Sequence, residues 1–323
     1  MFDEINSIPN LLQSWQEFLP GKKDKPDVSE FTFSLSANIY ELHLSLSDRS
    51  YVHAAYKSFK INDPKPRDIH KAIVRDRLLH HAIHRILYFS FDRKFIFDSY
   101  SSRLGKGTHK AMNRFRALAY KVSKNHTRTG FVLKCDIKKF FASIDHTLLK
   151  QILARHIQDQ DVLWLLDRVI DSFSSTGSGK GLPLGNLTSQ LLTNIYMNEF
   201  DQFVKHGLKI KYYIRYADDF VVFANTKEEL ENTLRLFESF LQEKLKLNLH
   251  PDKVFIKTLS SGVDFLGWVH FTDHRVLRTA TKRRMLKRLA ENPSAERVQS
   301  YLGLLSHGNA NKLRDKIGRE LYH

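Results

Sequence analysis

Apolar residues recur at helical spacing early in the chain, at strand spacing through the middle, and at helical spacing again toward the end. Leu11, Leu12, Trp15 and Phe18 mark one side of a helix, and the chain through about residue 45 reads as helical, broken by the basic turn Gly21-Lys22-Lys23-Asp24-Lys25-Pro26. Residues 56–61 predict a short strand, the turn Asp63-Pro64-Lys65-Pro66-Arg67 reverses it, and a helix follows with Val74, Leu78, Leu79, Ala82 and Leu87. In the middle, Phe131, Leu133, Cys135 and Ile137 alternate with Val132, Lys134 and Asp136, the period of a half-buried strand. Asp136 then projects from the face opposite Cys135. Residues 211–216 and 220–224 predict two strands joined tightly through Ala217-Asp218-Asp219. Thr226 and Glu229 form a capping box that opens a helix with Leu230, Leu234, Phe237, Leu241 and Leu245 along one side. Short strands are expected near 254–257 and 263–268. From about Thr272 the pattern is helical to the end, interrupted at Asn292-Pro293 and His307-Gly308.

Composition narrows the class. With 323 residues, 42% hydrophobic and 12% aromatic, the chain can bury an extensive core, so global disorder is excluded. Cys135 is the single cysteine, which rules out an intrachain disulfide and a cysteine-based zinc cluster. No apolar run approaches the roughly 18–20 residues of a membrane span, and acidic Asp3 and Glu4 stand where a signal peptide carries basic residues. The expectation is a cytoplasmic protein with no membrane partner. A formal net charge of +16 favours a polyanionic partner, most often nucleic acid.

Two carboxylate signals sit at strand ends: Asp136, and the adjacent pair Asp218-Asp219. Neighbouring ionised carboxylates repel, and burial raises that cost. A divalent cation relieves it, and oxygen ligands with retained waters suit Mg²⁺. Two such ions can stabilise an in-line displacement at phosphorus. An Asp-Asp pair alone is often no more than an exposed turn; here it lies between two apolar strands in a strongly basic chain. His80, His81 and His84 on one helix suggest zinc, but neither a third ligand at suitable spacing nor an HExxH pattern accompanies them.

Tyr216-Ala217-Asp218-Asp219 resembles the catalytic hairpin of reverse transcriptases, and Asp136 matches their first catalytic carboxylate. The resemblance continues in order along the chain. Residues 181–190, Gly-Leu-Pro-Leu-Gly-Asn-Leu-Thr-Ser-Gln, are similar to the segment under the incoming nucleotide. His250-Pro251-Asp252-Lys253 resembles the lysine-bearing loop, and Phe265-Leu266-Gly267-Trp268 the hairpin that grips the primer end. Residues 63–67 and 102–109 are similar to fingers motifs of bacterial members. The resemblance implies an α+β right-hand polymerase: N-terminal extension and fingers over 1–125, a palm with an antiparallel sheet over 126–271 (with a fingers insertion near 150–181), and a helical thumb over 272–323. It also implies roles. Asp136, Asp218, Asp219 and Lys253 are catalytic, with Mg²⁺ (two ions, or Mn²⁺ as a substitute) held by Asp136, Asp218, Asp219 and the main chain of Ile137. Asp136 and Asp218 bind both ions, with Asp219 set further back. Lys65, Arg67, Phe141, Leu184, Gly185 and Gln190 surround the nucleotide, Phe141 as a gate against a ribose 2′-hydroxyl. Arg103, Lys106, Phe265, Leu266, Gly267, Lys282, Arg283 and Lys287 contact template or primer.

Leu184 stands where most relatives have Gln, and Ser189-Gln190 where they have Ser-Pro. That combination resembles the reverse transcriptases of diversity-generating retroelements, which copy a template RNA with errors at adenines for mutagenic retrohoming. It implies dNTPs, template RNA, an RNA–DNA hybrid and a small basic helical accessory protein as partners. Another compact bacterial reverse transcriptase, of retron or phage-defence type, is the alternative.

Overall fold

The computed structural model describes residues 1–62, 66–175, 177 and 179–319. It divides into two compact units, Met1–Phe97 with Lys138–Phe203 and Phe240–Asn248, and Asp98–Ile137 with Val204–Ser239 and Leu249–His323. Both mix helix and strand, and the described chain has the expected α+β character, helices flanking a small antiparallel sheet.

In the first unit, the helices α1 (Phe2–Asn6), α2 (Ile8–Phe18), α3 (Pro26–Phe33) and α4 (Leu35–Ser47) precede a hairpin of β1 (Lys57–Ile61) and β2 (Arg67–Lys71). Ser7 starts α2 by accepting a hydrogen bond from the Asn10 amide, and Pro26 opens α3 at a position needing no amide donor. The apolar stripe Leu11, Trp15 and Phe18 is buried. The long helix α5 (Val74–Asp92) is the centre of this unit; α2 and, further on, α10 (Leu187–Gln202) both pack against it. The unit also holds α7 (Phe140–Ser143), α8 (His146–His156) and α9 (Gln160–Asp171), the last two capped by Asp145 and Asp159 side chains.

The second unit holds α6 (Thr108–Val122), β3 (Phe131–Asp136), β4 (Tyr213–Tyr216), β5 (Asp219–Ala224) and β6 (Phe255–Thr258). The strands form one antiparallel sheet in the order β4-β5-β3-β6, with Asp136 opposite Asp219 and Tyr216 opposite Asp219. The helix α11 (Lys227–Leu245) follows β5, and the amide of Glu229 bonds to Thr226 Oγ1, as the capping pattern predicts. A second sheet, β7 (Val263–Phe265), β8 (Trp268–His270) and β9 (Arg275–Leu277), precedes α12 (Thr279–Glu291), α13 (Ala295–Leu305) and α14 (Asn311–Arg319).

Three local expectations change. The strand β3 is buried on both faces through residues 132–135, not on one. Val132 faces Phe115, Leu118 and Val122 of α6 and Phe265 of β7 in a shared core, while Leu133 and Cys135, which point the other way, are fully buried as well. Residues 263–268 are not one strand. Leu266 and Gly267 take φ of +52° and +84°, the two left-handed residues of a tight hairpin turn, and split the run into β7 and β8. The helical reading from Thr272 onward misses β9, which pairs with β8; three residues are too few to show a period.

Candidate active site

The carboxylates stand where β3 and β5 end together. Because side chains alternate across a strand, Asp136 shares a face with Val132 and Lys134, and on β5 Asp219 shares it with Val221 and Phe223. That face is a packed apolar core at one end and a carboxylate pair at the other. Asp218 lies in the two-residue turn between β4 and β5, and its carbonyl accepts a hydrogen bond from the Ile137 amide at 3.1 Å. Ala217 makes the turn possible at φ +55°, where a glycine would be unstrained. Such strain persists only where the surroundings enforce it. Here the fully buried Arg215 donates from Nη1 to the Ala217 carbonyl (3.1 Å) and from Nη2 to Ser99 Oγ (3.1 Å). Ser99 bridges to Arg215 through the main chain as well, and the adjacent Asp98 binds Arg114 through both carboxylate oxygens.

Two lysines face the carboxylates. Lys253 donates to Asp136 Oδ1 at 2.6 Å, placed by a loop whose His250 amide bonds to the Asp136 carbonyl at 2.7 Å. Lys134 lies on β3 itself, with Nζ 3.3 Å from Asp219 Oδ1 and 3.7 Å from Asp136 Oδ2. Burial, then the neighbouring Asp136, pushes the Asp218 carboxyl up. Asp219 rises to about 7, burial outweighing the pull of Lys134, with Asp136 and Asp218 adding to the rise. Asp219 Oδ1 is buried without a well-aligned hydrogen bond among the described residues.

Oxygen ligands crowded together, one of them without a well-aligned hydrogen bond among the described residues, fit a hard divalent cation. Among the described residues no three His, Cys, Asp or Glu side chains stand ready-arranged around an ion; two lysine ammonium groups lie against the carboxylates instead. Of the histidines on α5, His80 is held inside the packing. His80 is buried, 2.7 Å from Thr188 Oγ1 and 3.2 Å from His53 Nε2, and burial holds its pKa down at about 3.

The loop before α6 belongs to the same unit. Arg103 Nη1 donates to the Ser99 carbonyl, the Lys106 ammonium lies over the Tyr100 ring at 5.0 Å, and Thr108 Oγ1 donates to Tyr216 Oη at 3.0 Å. Arg103 and Lys106 are thus tied to the residues that support the hairpin. Phe265 is buried in the core under this sheet, while Leu266 and Gly267 form the turn whose Gly267 carbonyl accepts from the Arg278 amide. Lys282, Arg283 and Lys287 are exposed on α12, opposite buried Met285 and Leu289, and Lys287 pairs with Glu291 at 3.7 Å.

The remaining candidates lie in the first unit. Leu184 accepts from the His70 amide (3.2 Å) and Asn186 Nδ2 donates to the His70 carbonyl (3.4 Å), so residues 184–186 clip onto β2. Gly185 takes φ +109°, and a Cβ there would meet Ile69 Cγ2 at 3.3 Å. Phe141 is half-buried, edge-on to Phe140, and its carbonyl accepts from the Leu182 amide at 2.8 Å, bringing it to the 181–190 segment. Gln190 is exposed and, with Gly185, lines a cavity of about 210 Å³ that also holds Lys22 and Arg77. Arg67 is exposed at the start of β2; Lys65 lies outside the described residues. Sequence reasoning missed Lys134, Ser99 and Arg215. The one available signal was a charged residue within an apolar strand pattern, as Lys134 and Arg215 both are.

The family model described as Reverse transcriptase (RNA-dependent DNA polymerase) matches residues 61–270. The chain is similar to Protein YkfC of Escherichia coli K12, at 26% identity over 65% of this chain and 62% of that one. It is similar to the group II intron-encoded protein LtrA of Lactococcus lactis subsp. cremoris at 24% identity, covering 78% of this chain and 52% of LtrA. Against the Retron Ec73 reverse transcriptase of Escherichia coli the identity is 26%, with 59% of each covered. The chain therefore spans between about half and about three-fifths of the length of these curated relatives. Among solved structures, apo telomerase from Candida tropicalis shares the fold with a TM-score of 0.56 at 11% identity, over 72% of this chain and 50% of that one. Among the described residues no helix is long and apolar enough to cross a membrane.

Proposed function

The chain belongs to the reverse transcriptase (RNA-dependent DNA polymerase) family, and from that premise we propose that it is an RNA-directed DNA polymerase making cDNA from a template RNA. The observation that carries the reading is the pairing of Asp136 with Asp219 across β3 and β5, beside Asp218 in the turn and under the ammonium of Lys253. Asp136, Asp218 and the main chain of Ile137 would hold two Mg²⁺ ions, or Mn²⁺, with Asp219 set further back. Bound there, the metal would supply the charge that activates a primer 3′-hydroxyl and neutralises the leaving pyrophosphate.

The chain's own groups do the rest. Lys253, on a loop and about a third exposed, can turn from Asp136 to a phosphate oxygen and hand over a proton. Arg67 and Lys65 would add charge at the triphosphate. Phe141 would stand against the 2′ position of the sugar and select dNTPs, and Gly185 would let the backbone approach the nucleotide. Arg103 and Lys106 would contact the template, the 265–267 turn the primer end, and Lys282, Arg283 and Lys287 the phosphates of the RNA–DNA hybrid. Neutralising these last three should weaken hybrid binding irrespective of sequence and flatten its salt dependence, by about 0.7–0.9 log units for each phosphate that no longer meets a cation. An unaltered slope would leave them a solvated face.

Primer extension tests the central reading. Asp136→Ala and Asp218→Ala should each abolish Mg²⁺-dependent synthesis while hybrid affinity stays close to the parent's. Robust synthesis by either variant would overturn the assignment.

The finer reading is a diversity-generating enzyme, cytoplasmic, working with a small basic accessory protein. Leu184 and Gln190 support it. Where relatives place Gln, leucine offers bulk without a donor or acceptor, and a hydrogen bond worth about 0.5–1.5 kcal/mol is up to about a tenfold change in discrimination. Single-nucleotide incorporation should show misincorporation highest opposite template adenine, reduced by Leu184→Gln. Similarity to a retron enzyme favours the alternative, a compact bacterial reverse transcriptase of retron or phage-defence type, and equal error at all four bases would select it.

A further inference from the structure

Lys134 is buried on an inner strand of the sheet, and none of the catalytic steps above uses it. Its strand neighbours are apolar: Val221 opposite on β5 and Phe255 opposite on β6. A lysine is rarely this buried unless paired, because desolvating an ammonium is costly. Its charged end reaches Asp219 Oδ1 at 3.3 Å and Asp136 Oδ2 at 3.7 Å, between the two carboxylates rather than upon either. Neither distance is that of a short charge-assisted hydrogen bond, so Lys134 acts through its charge.

Lys253 differs in both exposure and freedom. That side chain is 36% exposed, sits on a loop and can leave Asp136; Lys134 is 8% exposed, is anchored in a central strand and has nowhere to go.

We propose that Lys134 is a positioning residue of the carboxylate site, a built-in counter-ion that holds Asp136 and Asp219 together before metal arrives and then competes with the metal for them. The inference rests on the metal-dependent reading above and adds a consequence to it. Without Lys134, two carboxylates facing each other across a strand pair would repel and the strand ends would loosen. With it, every divalent ion entering must share its ligands with a fixed positive charge. Lys134 therefore trades metal affinity for stability of the metal-free protein, since its charge already offsets part of the carboxylate charge before an ion enters. Repulsion between a fixed unit charge and a nearby divalent ion, even screened as in water, is enough for about a tenfold change in affinity.

Mn²⁺ binding followed by electron paramagnetic resonance, on the full chain without nucleic acid or nucleotide, tests this independently of turnover. Lys134→Met, matched in length and uncharged, should bind Mn²⁺ at least about fivefold more tightly, and Lys134→Arg should stay near the parent. Melting in EDTA should show Lys134→Met destabilised, with added Mn²⁺ restoring most of the loss. Unchanged or weaker Mn²⁺ binding by Lys134→Met overturns the proposal, as does a loss of stability that Mn²⁺ fails to restore. The underlying metal reading fails differently: there the parent protein itself would bind no Mn²⁺, or Asp218→Asn would not diminish what it binds.

Discussion

Asp219 carries a cost of burial that shows in its protonation. Its carboxyl, raised to about 7 chiefly by burial, binds a proton more tightly in the folded chain than in the unfolded one. The sign follows from linkage: in metal-free protein the folded state gains from this group below the ordinary carboxylate pKa near 4, and loses that gain as pH rises through about 7. Asp219→Asn removes the titrating group. In EDTA it should therefore melt higher than the parent at pH 8, and the difference should shrink steadily toward pH 4. A difference that does not vary with pH would mean that Asp219 titrates alike in the folded and the unfolded chain. At the neighbouring position, Ala217 shows how an active turn is supported: a residue at positive φ is held by a buried arginine donating to its carbonyl, and the pair presents Asp218.

Among the elements, the turn between α13 and α14 is closely specified by packing. A Cβ on Gly308 would overlap Trp268 Cζ3 at the edge of the indole ring, where no two carbons can stand. Trp268 is buried among Met285, Leu289, Val298 and Leu305, so it cannot step aside. Asn309 donates to the Arg275 carbonyl at 2.8 Å, and Arg275 Nη2 donates to Asn113, fastening the turn to β9 and α6. Gly308→Ala should cost about 1–3 kcal/mol, the usual range for overpacking a filled core. The denaturant midpoint should fall, and limited proteolysis should cut first between 279 and 319 while the β3–β5 sheet stays protected. Unaltered stability would show that the turn can lift off Trp268. The hairpin of β7 and β8 makes the opposite bargain at Leu266, a bulky residue at φ +52° that is kept there by packing against both cores of this unit.

For the molecule as a whole, buried imidazoles set the acid limit. His80 is held at about 3, His81 and His270 at about 4, in each case first by burial. A lowered histidine pKa means that the unfolded chain takes up protons that the folded chain refuses. The stability these groups allow is full above about 6.5 and is lost as pH falls from there toward 4. The slope is on the order of 1 kcal/mol per pH unit for each such histidine. With Mg²⁺ present to keep the carboxylates occupied, the urea midpoint should drop between pH 7.5 and pH 5.5, and His80→Asn should reduce the drop. A flat profile would place these rings in contact with water. This trend opposes that of Asp219, so metal-free protein should be most stable in a narrower range than metal-loaded protein.

Much of this was readable along the chain. Period-two alternation located β3 and the direction of Asp136; two apolar runs around Tyr216-Ala217-Asp218-Asp219 located the hairpin; the basic helix α12 and its punctuation were equally plain. These are local properties, since backbone geometry ties side-chain direction to sequence spacing. Local pattern could not say that β3 is covered on both faces, because Val132 meets α6 and β7 only through pairings more than a hundred residues apart or across a helix–strand fold. Nor could it separate Lys134 from Lys138: both are lysines two residues from Asp136, yet one is sealed under the carboxylates and the other exposed. Asp136, Asp218 and Asp219 could be named as candidates from their order, but their charge compensation depends on distance and burial. Those are set by how β3, β5 and the loop carrying Lys253 come together in three dimensions, and electrostatic energy follows separation in space, not in sequence.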